Sequence, residues 1–312
     1  MMIWRKAEIE GYAAWIGETD LVSIGIIPEL GSKMITLRNR KTDREWLWRS
    51  GKPLGNGGYG SSFAAGDESG WDEMFPCIDA CMYPQQPWQD RAIPDHGEVW
   101  SLGWEHHCTG SALHCRVEGV QLPYLLEKVY SCATEGTIRI DYTLTNKSDS
   151  PFSFLWAAHP LLQIHEGMQL HMPSELKEIE VAYSEGGRLG VSQDTRSWPF
   201  VQTAAGIVDL STMEPAAGNF AEKYYFTGKL GDGFVGISDP VTGEALWFTF
   251  PAEQVPYLAV WANYAGYGGN YHVALEPATG RMDSLQQAIP RNEAAVVEGQ
   301  GIYRWFLEIN IT

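Results

Sequence analysis

Thr137-Ile138-Arg139-Ile140-Asp141-Tyr142-Thr143-Leu144-Thr145 alternates without a break. Extended, it puts Ile138, Ile140, Tyr142 and Leu144 on one face and the threonines, Arg139 and Asp141 on the other, the pattern of a strand with one wet face. Turn formers follow in Asn146-Lys147-Ser148-Asp149-Ser150-Pro151, and a second extended run occupies residues 152–156. The same pattern recurs on both sides. Phe234-Val235-Gly236-Ile237-Ser238 and residues 245–250 flank Asp239-Pro240-Val241-Thr242-Gly243 as a hairpin, and residues 21–37 lead through Asn39-Arg40-Lys41-Thr42-Asp43 to a partner at 45–48. Few windows keep apolar residues at helical spacing over three turns, because Pro or Gly interrupts them. Strands at short intervals with turns between them predict an all-β sandwich or barrel. No composition shift, low-complexity linker or fixed repeat divides residues 1–312, so the expectation is a single domain.

Composition narrows the function. With 22 Lys and Arg against 39 Asp and Glu, the net charge is −17, which disfavours nucleic acid and anionic membrane surfaces as partners. The five cysteines include no Cys-x-x-Cys pair and read as reduced thiols of a cytosolic protein. The first ten residues lack the apolar core of a signal peptide, and no apolar run reaches the roughly 20 residues of a membrane span. A soluble, cytoplasmic protein is the expectation.

Two segments are too rich in Gly or Pro to be strands, residues 51–70 and 83–97, and long ordered loops of this kind are usually functional. Gly55, Gly57 and Gly60 satisfy G-x-G-x-x-G, yet Lys52-Pro53 precedes them where a dinucleotide site needs a strand, and no helix start follows. The eight histidines show no metal-ligand spacing, and no Gly-x-Ser-x-Gly elbow occurs.

Three titratable positions remain. His96 lies in the polar turn Ile93-Pro94-Asp95-His96-Gly97-Glu98. His159 closes the apolar run 152–158 and is followed by Pro160, and Glu276 closes 271–275 and is followed by Pro277. A titratable residue that ends an apolar strand before proline is expected at the rim of a sheet, where it can face a cleft. Each also has a plain reading, as a hydrogen-bonding strand end or a solvated turn, and spacing alone leaves their convergence open.

The motifs Gly70-Trp71-Asp72-Glu73-Met74-Phe75-Pro76, Asp95-His96-Gly97-Glu98-Val99-Trp100, Trp156-Ala157-Ala158-His159-Pro160 and Val273-Ala274-Leu275-Glu276-Pro277 occur in this order. In these motifs and their spacing the chain resembles the aldose 1-epimerase (mutarotase) family and its galactose-mutarotase-like relatives. The resemblance implies a large antiparallel β-sandwich, with His159 as general acid, Glu276 as general base and His96 on the sugar. It departs from the family in carrying Trp71-Asp72-Glu73 where an arginine often contacts sugar hydroxyls. The Glu-Pro context of Glu276 is closer to the hexose-6-phosphate epimerase branch.

Anomer interconversion opens the hemiacetal ring. A base takes the C1 hydroxyl proton, an acid protonates the ring oxygen, and the ring recloses after rotation about C1–C2. Such chemistry calls for a monosaccharide substrate, a hexose, and no cofactor. Further expected contacts are Asp72 and Glu73, the indoles of Trp71, Trp156 and Trp261 beside the motifs, and Lys223 in the polar stretch Glu222-Lys223-Tyr224-Tyr225. Alternatives are a sugar-binding or regulatory protein of the same fold without turnover, a hexose-6-phosphate epimerase, or a glycosidase or lyase that pairs Asp72 or Glu73 with Glu276.

Overall fold

A computed structural model describes residues 1–134 and 136–312. The alternating stretch forms the strand Thr137–Asn146, and its buried residues are the predicted apolar ones together with Asn146 at its end. It pairs antiparallel with Tyr124–Thr134 and with Ile302–Ile311. These three strands centre an eight-stranded sheet in the order Gln169–His171, Phe234–Ser238, Ala245–Thr249, Ile302–Ile311, Thr137–Asn146, Tyr124–Thr134, Ala112–Glu118 and Glu105–Thr109. The hairpin predicted around 239–243 is present in it.

The facing sheet has eleven strands. It runs Ile3–Ile9, Tyr12–Glu18, Val22–Ile27, Lys33–Asn39, Trp71–Met74, Ala157–Gln163, Tyr271–Ala278, Tyr257–Tyr264, Phe220–Phe226, Glu178–Ser184 and Thr195–Ser197, with antiparallel neighbours throughout. One continuous apolar core fills the space between the sheets, from Ile24 and Trp71 on one side to Leu144 and Phe248 on the other. The architecture is the large antiparallel β-sandwich. Among the described residues the one α-helix is Leu285–Ala288, and no helix is long and apolar enough to cross a membrane.

Two local expectations are corrected. Residues 21–37 contain two strands, Val22–Ile27 and Lys33–Asn39, that pair with each other, while residues 45–48 make only isolated bridges at Glu45 and Leu47. The run 152–156 is not one strand into His159. Phe152–Phe154 pairs with Ala295–Val297, and the chain then leaves that ladder as Leu155 N–H bonds the Pro76 carbonyl and Trp156 N–H bonds Thr279 Oγ1. His159 and Glu276 therefore sit inside central strands, Ala157–Gln163 and Tyr271–Ala278, rather than at strand ends. Their prolines open the ladder without ending it. Partner pairs form at Ala157↔Ala278 and resume at Leu161↔Ala274, so the stretch that carries Pro160 and Pro277, which have no N–H to donate, lies between them.

Candidate active site

The outer face of the large sheet, away from the core, carries a cleft of about 420 Å³. Period-2 alternation puts His159 and Leu161, His272 and Glu276, and Trp261 and Asn263 on that face from three adjacent strands, and Lys223 joins them from a fourth. The register on either side of the proline gap sets His159 directly across from Glu276. Ala259 is the next partner in that row, and the neighbouring row runs Leu161, Ala274, Trp261, Lys223. The two alanines leave the room into which the long side chains reach.

The geometry is close. His159 Nε2 lies 3.9 Å from Glu276 Oε1, and Lys223 Nζ lies 3.2 Å from Glu276 Oε2 and 2.7 Å from Asp283 Oδ1. All three facing groups are largely buried, yet His159 Nδ1 and both Glu276 oxygens lack a well-formed hydrogen bond. Unpaired buried polar atoms are uncommon in folded proteins. Burial pushes the Glu276 carboxyl up, and the Lys223 ammonium opposes the shift. Burial also holds the His159 imidazole well below its ordinary range, aided by His96, Lys223 and His272.

Loops close the cleft from above, and both segments singled out by composition contribute. The 51–70 loop supplies Phe63, Ala64 and Glu68, and the 83–97 loop supplies Asp95 and His96. His96 adopts a left-handed backbone with φ 58°, its N–H bonded to the Ile78 carbonyl at 2.7 Å. The next residue has φ 73° and lies so close to the Phe75 backbone that a Cβ would stand 2.1 Å from its carbonyl oxygen, so only glycine fits position 97. His96 Nδ1 bonds Asp95 Oδ1 at 2.8 Å, and its ring stacks on Phe63 at 4.3 Å and 6°. Its ring centroid stands 5.2 Å from that of His159. Trp261, between Tyr183 and Tyr267, forms an aromatic wall of the cleft.

The structure thus gathers His96, His159, Lys223, Trp261 and Glu276 in one cleft. It does not bring Trp71, Asp72, Glu73 or Trp156 there. Trp71 and Glu73 point the other way from their strand. The Trp71 ring packs on Phe248 across the core, and Glu73 accepts hydrogen bonds from Tyr142 at 2.9 Å and from the Trp156 indole at 2.8 Å. Asp72 shares the parity of His159 and pairs with it in register, but is buried against Lys33 at 3.1 Å, and burial pushes it up to about 6. A carboxylate pair of Glu276 with Asp72 or Glu73, as a glycosidase requires, is not formed in the cleft. Phe63, Asn263, His272 and Asp283 also line the cleft and were not anticipated. Parity could have found two of them, since Asn263 is two residues from Trp261 and His272 four from Glu276. Among the described residues no cluster of three or more His, Cys, Asp or Glu could hold a metal ion.

No family model matches the chain, and no curated protein does. Solved structures match over its whole length. A galactose mutarotase-like protein from Clostridium acetobutylicum has TM-score 0.74 at 10% identity, with 100% of this chain and 98% of that one covered. A protein from Escherichia coli K12, provisionally named an aldose 1-epimerase, has TM-score 0.67 at 12% identity and covers 100% and 99%. Another of that provisional name, from Klebsiella pneumoniae, has TM-score 0.73 at 11% identity and covers 96% and 79%. At such identities the likeness is one of fold, and the fold is that of the galactose mutarotase-like sandwich.

Proposed function

We propose that this chain is an aldose 1-epimerase that interconverts the α and β anomers of an unphosphorylated hexose. The observation that carries the reading is the 3.9 Å approach of His159 Nε2 to Glu276 Oε1 across a proline-opened ladder at the floor of a cleft. The ring oxygen and the C1 hydroxyl of a hexopyranose are bonded to the same carbon, so the acid and base that serve them must stand close together. Two adjacent strands supply that spacing. The Glu276 carboxylate, whose charge Lys223 stabilises against burial, takes the C1 hydroxyl proton while His159 delivers a proton to the ring oxygen. C1 becomes an aldehyde carbon, C1–C2 rotates, and the same two groups reverse their roles on closure. His96 hydrogen-bonds a sugar oxygen, and Trp261 carries the apolar face.

Charge supports the unphosphorylated substrate. Glu68, Asp79, Asp95, Glu276 and Asp283 line the cleft, and among the described lining residues Lys223 is the single lysine or arginine, already paired twice. A phosphate dianion has no free cation to meet there.

Polarimetry on freshly dissolved α-D-glucose, α-D-galactose and their 6-phosphates tests the reading. Acceleration is expected for the free sugars and little for the phosphates, and Glu276→Gln and His159→Asn should each slow it by about 10²–10⁴-fold. A folded protein that binds these sugars but leaves every rate at its spontaneous value would be a binding protein, and the proposal would fail.

A further inference from the structure

Cys77 and Cys81 stand apart from the other cysteines. Their sulfurs are 3.4 Å apart, both free, at the edge of the cleft where the large sheet hands over to the covering loops. Cys77 is fully buried and Cys81 half-buried, so Cys81 is the more accessible of the two. The two residues between which the cleft wall passes, Ile78 and Asp79, both line it. The Asp283 carbonyl gathers this segment, accepting hydrogen bonds from Ile78 N–H at 3.1 Å, Asp79 N–H at 2.7 Å and the Cys77 thiol at 3.4 Å. Asp283 in turn holds Lys223. Cys81 also pairs with Ile93, which leads into the His96 turn.

We propose that Cys77 and Cys81 are a thiol–disulfide modification site that reacts with a small-molecule disulfide of the oxidised-glutathione class, and that cross-linking them changes the cleft. A disulfide requires the sulfurs to close from 3.4 Å to about 2.05 Å, a small motion for a turn of this size. The order of events follows from access. Cys81 attacks one sulfur of oxidised glutathione, the glutathione S–S bond breaks, and one glutathione leaves as its thiol, with a mixed disulfide on Cys81. Cys77 then attacks the Cys81 sulfur, the mixed S–S bond breaks, and the second glutathione leaves. Two protein thiols lose two electrons and their two protons, and one oxidised glutathione becomes two reduced ones. Contact with Cys77 draws the Cys81 thiol below its ordinary range while burial pushes Cys77 well above, which suits Cys81 to the first attack. Once oxidised, Cys77 has no proton to donate to the Asp283 carbonyl, so the change reaches the residue that fixes Lys223. The inference is independent of sugar turnover.

The test treats the whole folded chain with oxidised glutathione and reads intact mass, peptide maps and the imidazole NMR signals of His96 and His159. The wild type should lose two hydrogens, yield a peptide joining Cys77 to Cys81, and return to its starting mass with a reductant. Cys77→Ser should stop at one glutathione on Cys81. Cys81→Ser, at the half-buried position and so the milder change, should form neither product at residue 77. The histidine signals should move with the cross-link and return on reduction. A wild type that keeps its glutathione adduct, or reacts at Cys108 or Cys132 while Cys81 stays free, overturns the site. A cross-link that leaves both histidine signals in place overturns its connection to the cleft.

Discussion

At 3.2 Å from the Glu276 carboxylate and 2.7 Å from Asp283, the Lys223 ammonium works against the burial that pushes Glu276 up, and it also helps to keep His159 neutral. Its removal acts on both groups with one sign. Without the cation, Glu276 holds its proton to higher pH, so the base is lost sooner as pH falls. His159 also takes up a proton at higher pH, so the acid survives further as pH rises. On the proposed mechanism, Lys223→Met should therefore move both limbs of the kcat/KM profile toward higher pH. On the acidic limb activity should fall about tenfold relative to wild type, the factor that goes with each pH unit of displacement. Lys223→Arg, which keeps the charge, should restore the wild-type profile. Polarimetric rates across pH check this, and a Lys223→Met variant that loses activity equally at every pH would mean that Lys223 only shapes the cleft.

At the scale of strands and turns, the sequence made the alternation and the loops legible because both are local. Residues 137–145 showed their buried face in a period of two, and Gly and Pro density marked 51–70 and 83–97 as the segments that cover the cleft. The site was legible as motifs but not as a surface. Trp71, Asp72 and Glu73 are adjacent in sequence, but adjacent strand residues face opposite ways, so the core takes Trp71 and Glu73. The sequence points His159 and Glu276 to strand ends because proline usually stops a strand. Their placement opposite each other depends on a register between segments more than a hundred residues apart, which no local pattern encodes. The His96-Gly97 turn is the element whose geometry is most tightly set. Gly97→Ala would bring a Cβ to 2.1 Å from the Phe75 carbonyl oxygen at a positive φ, so the turn must shift. A loss of about 2–4 kcal/mol in urea unfolding is expected, together with displacement of His96 and weaker sugar binding by calorimetry. A variant of wild-type stability would show that the turn has slack.

Across the whole molecule, the two sheets are joined by charge as well as by apolar packing. Glu73 comes from the large sheet, and Lys128 and Tyr142 come from the small one. Lys128 Nζ lies 3.4 Å from Glu73 Oε1 and 3.1 Å from the Ser32 carbonyl, and Tyr142 and Trp156 complete the carboxylate's partners. The group is buried on all sides, so the cost of removing two charges from water is met only while both are present. Lys128→Met strands the Glu73 carboxylate in the core and should lower unfolding stability by about 3–5 kcal/mol. Lys128→Met with Glu73→Gln removes both charges and should lose less than the sum of the two single variants, the coupling a double-mutant cycle reads. Because parity turns this network away from the cleft, a Lys128→Met protein assayed well below its melting temperature should keep its sugar affinity. Additive losses in the cycle would mean that Lys128 and Glu73 are solvated independently, and that the sandwich is held by its apolar core without them.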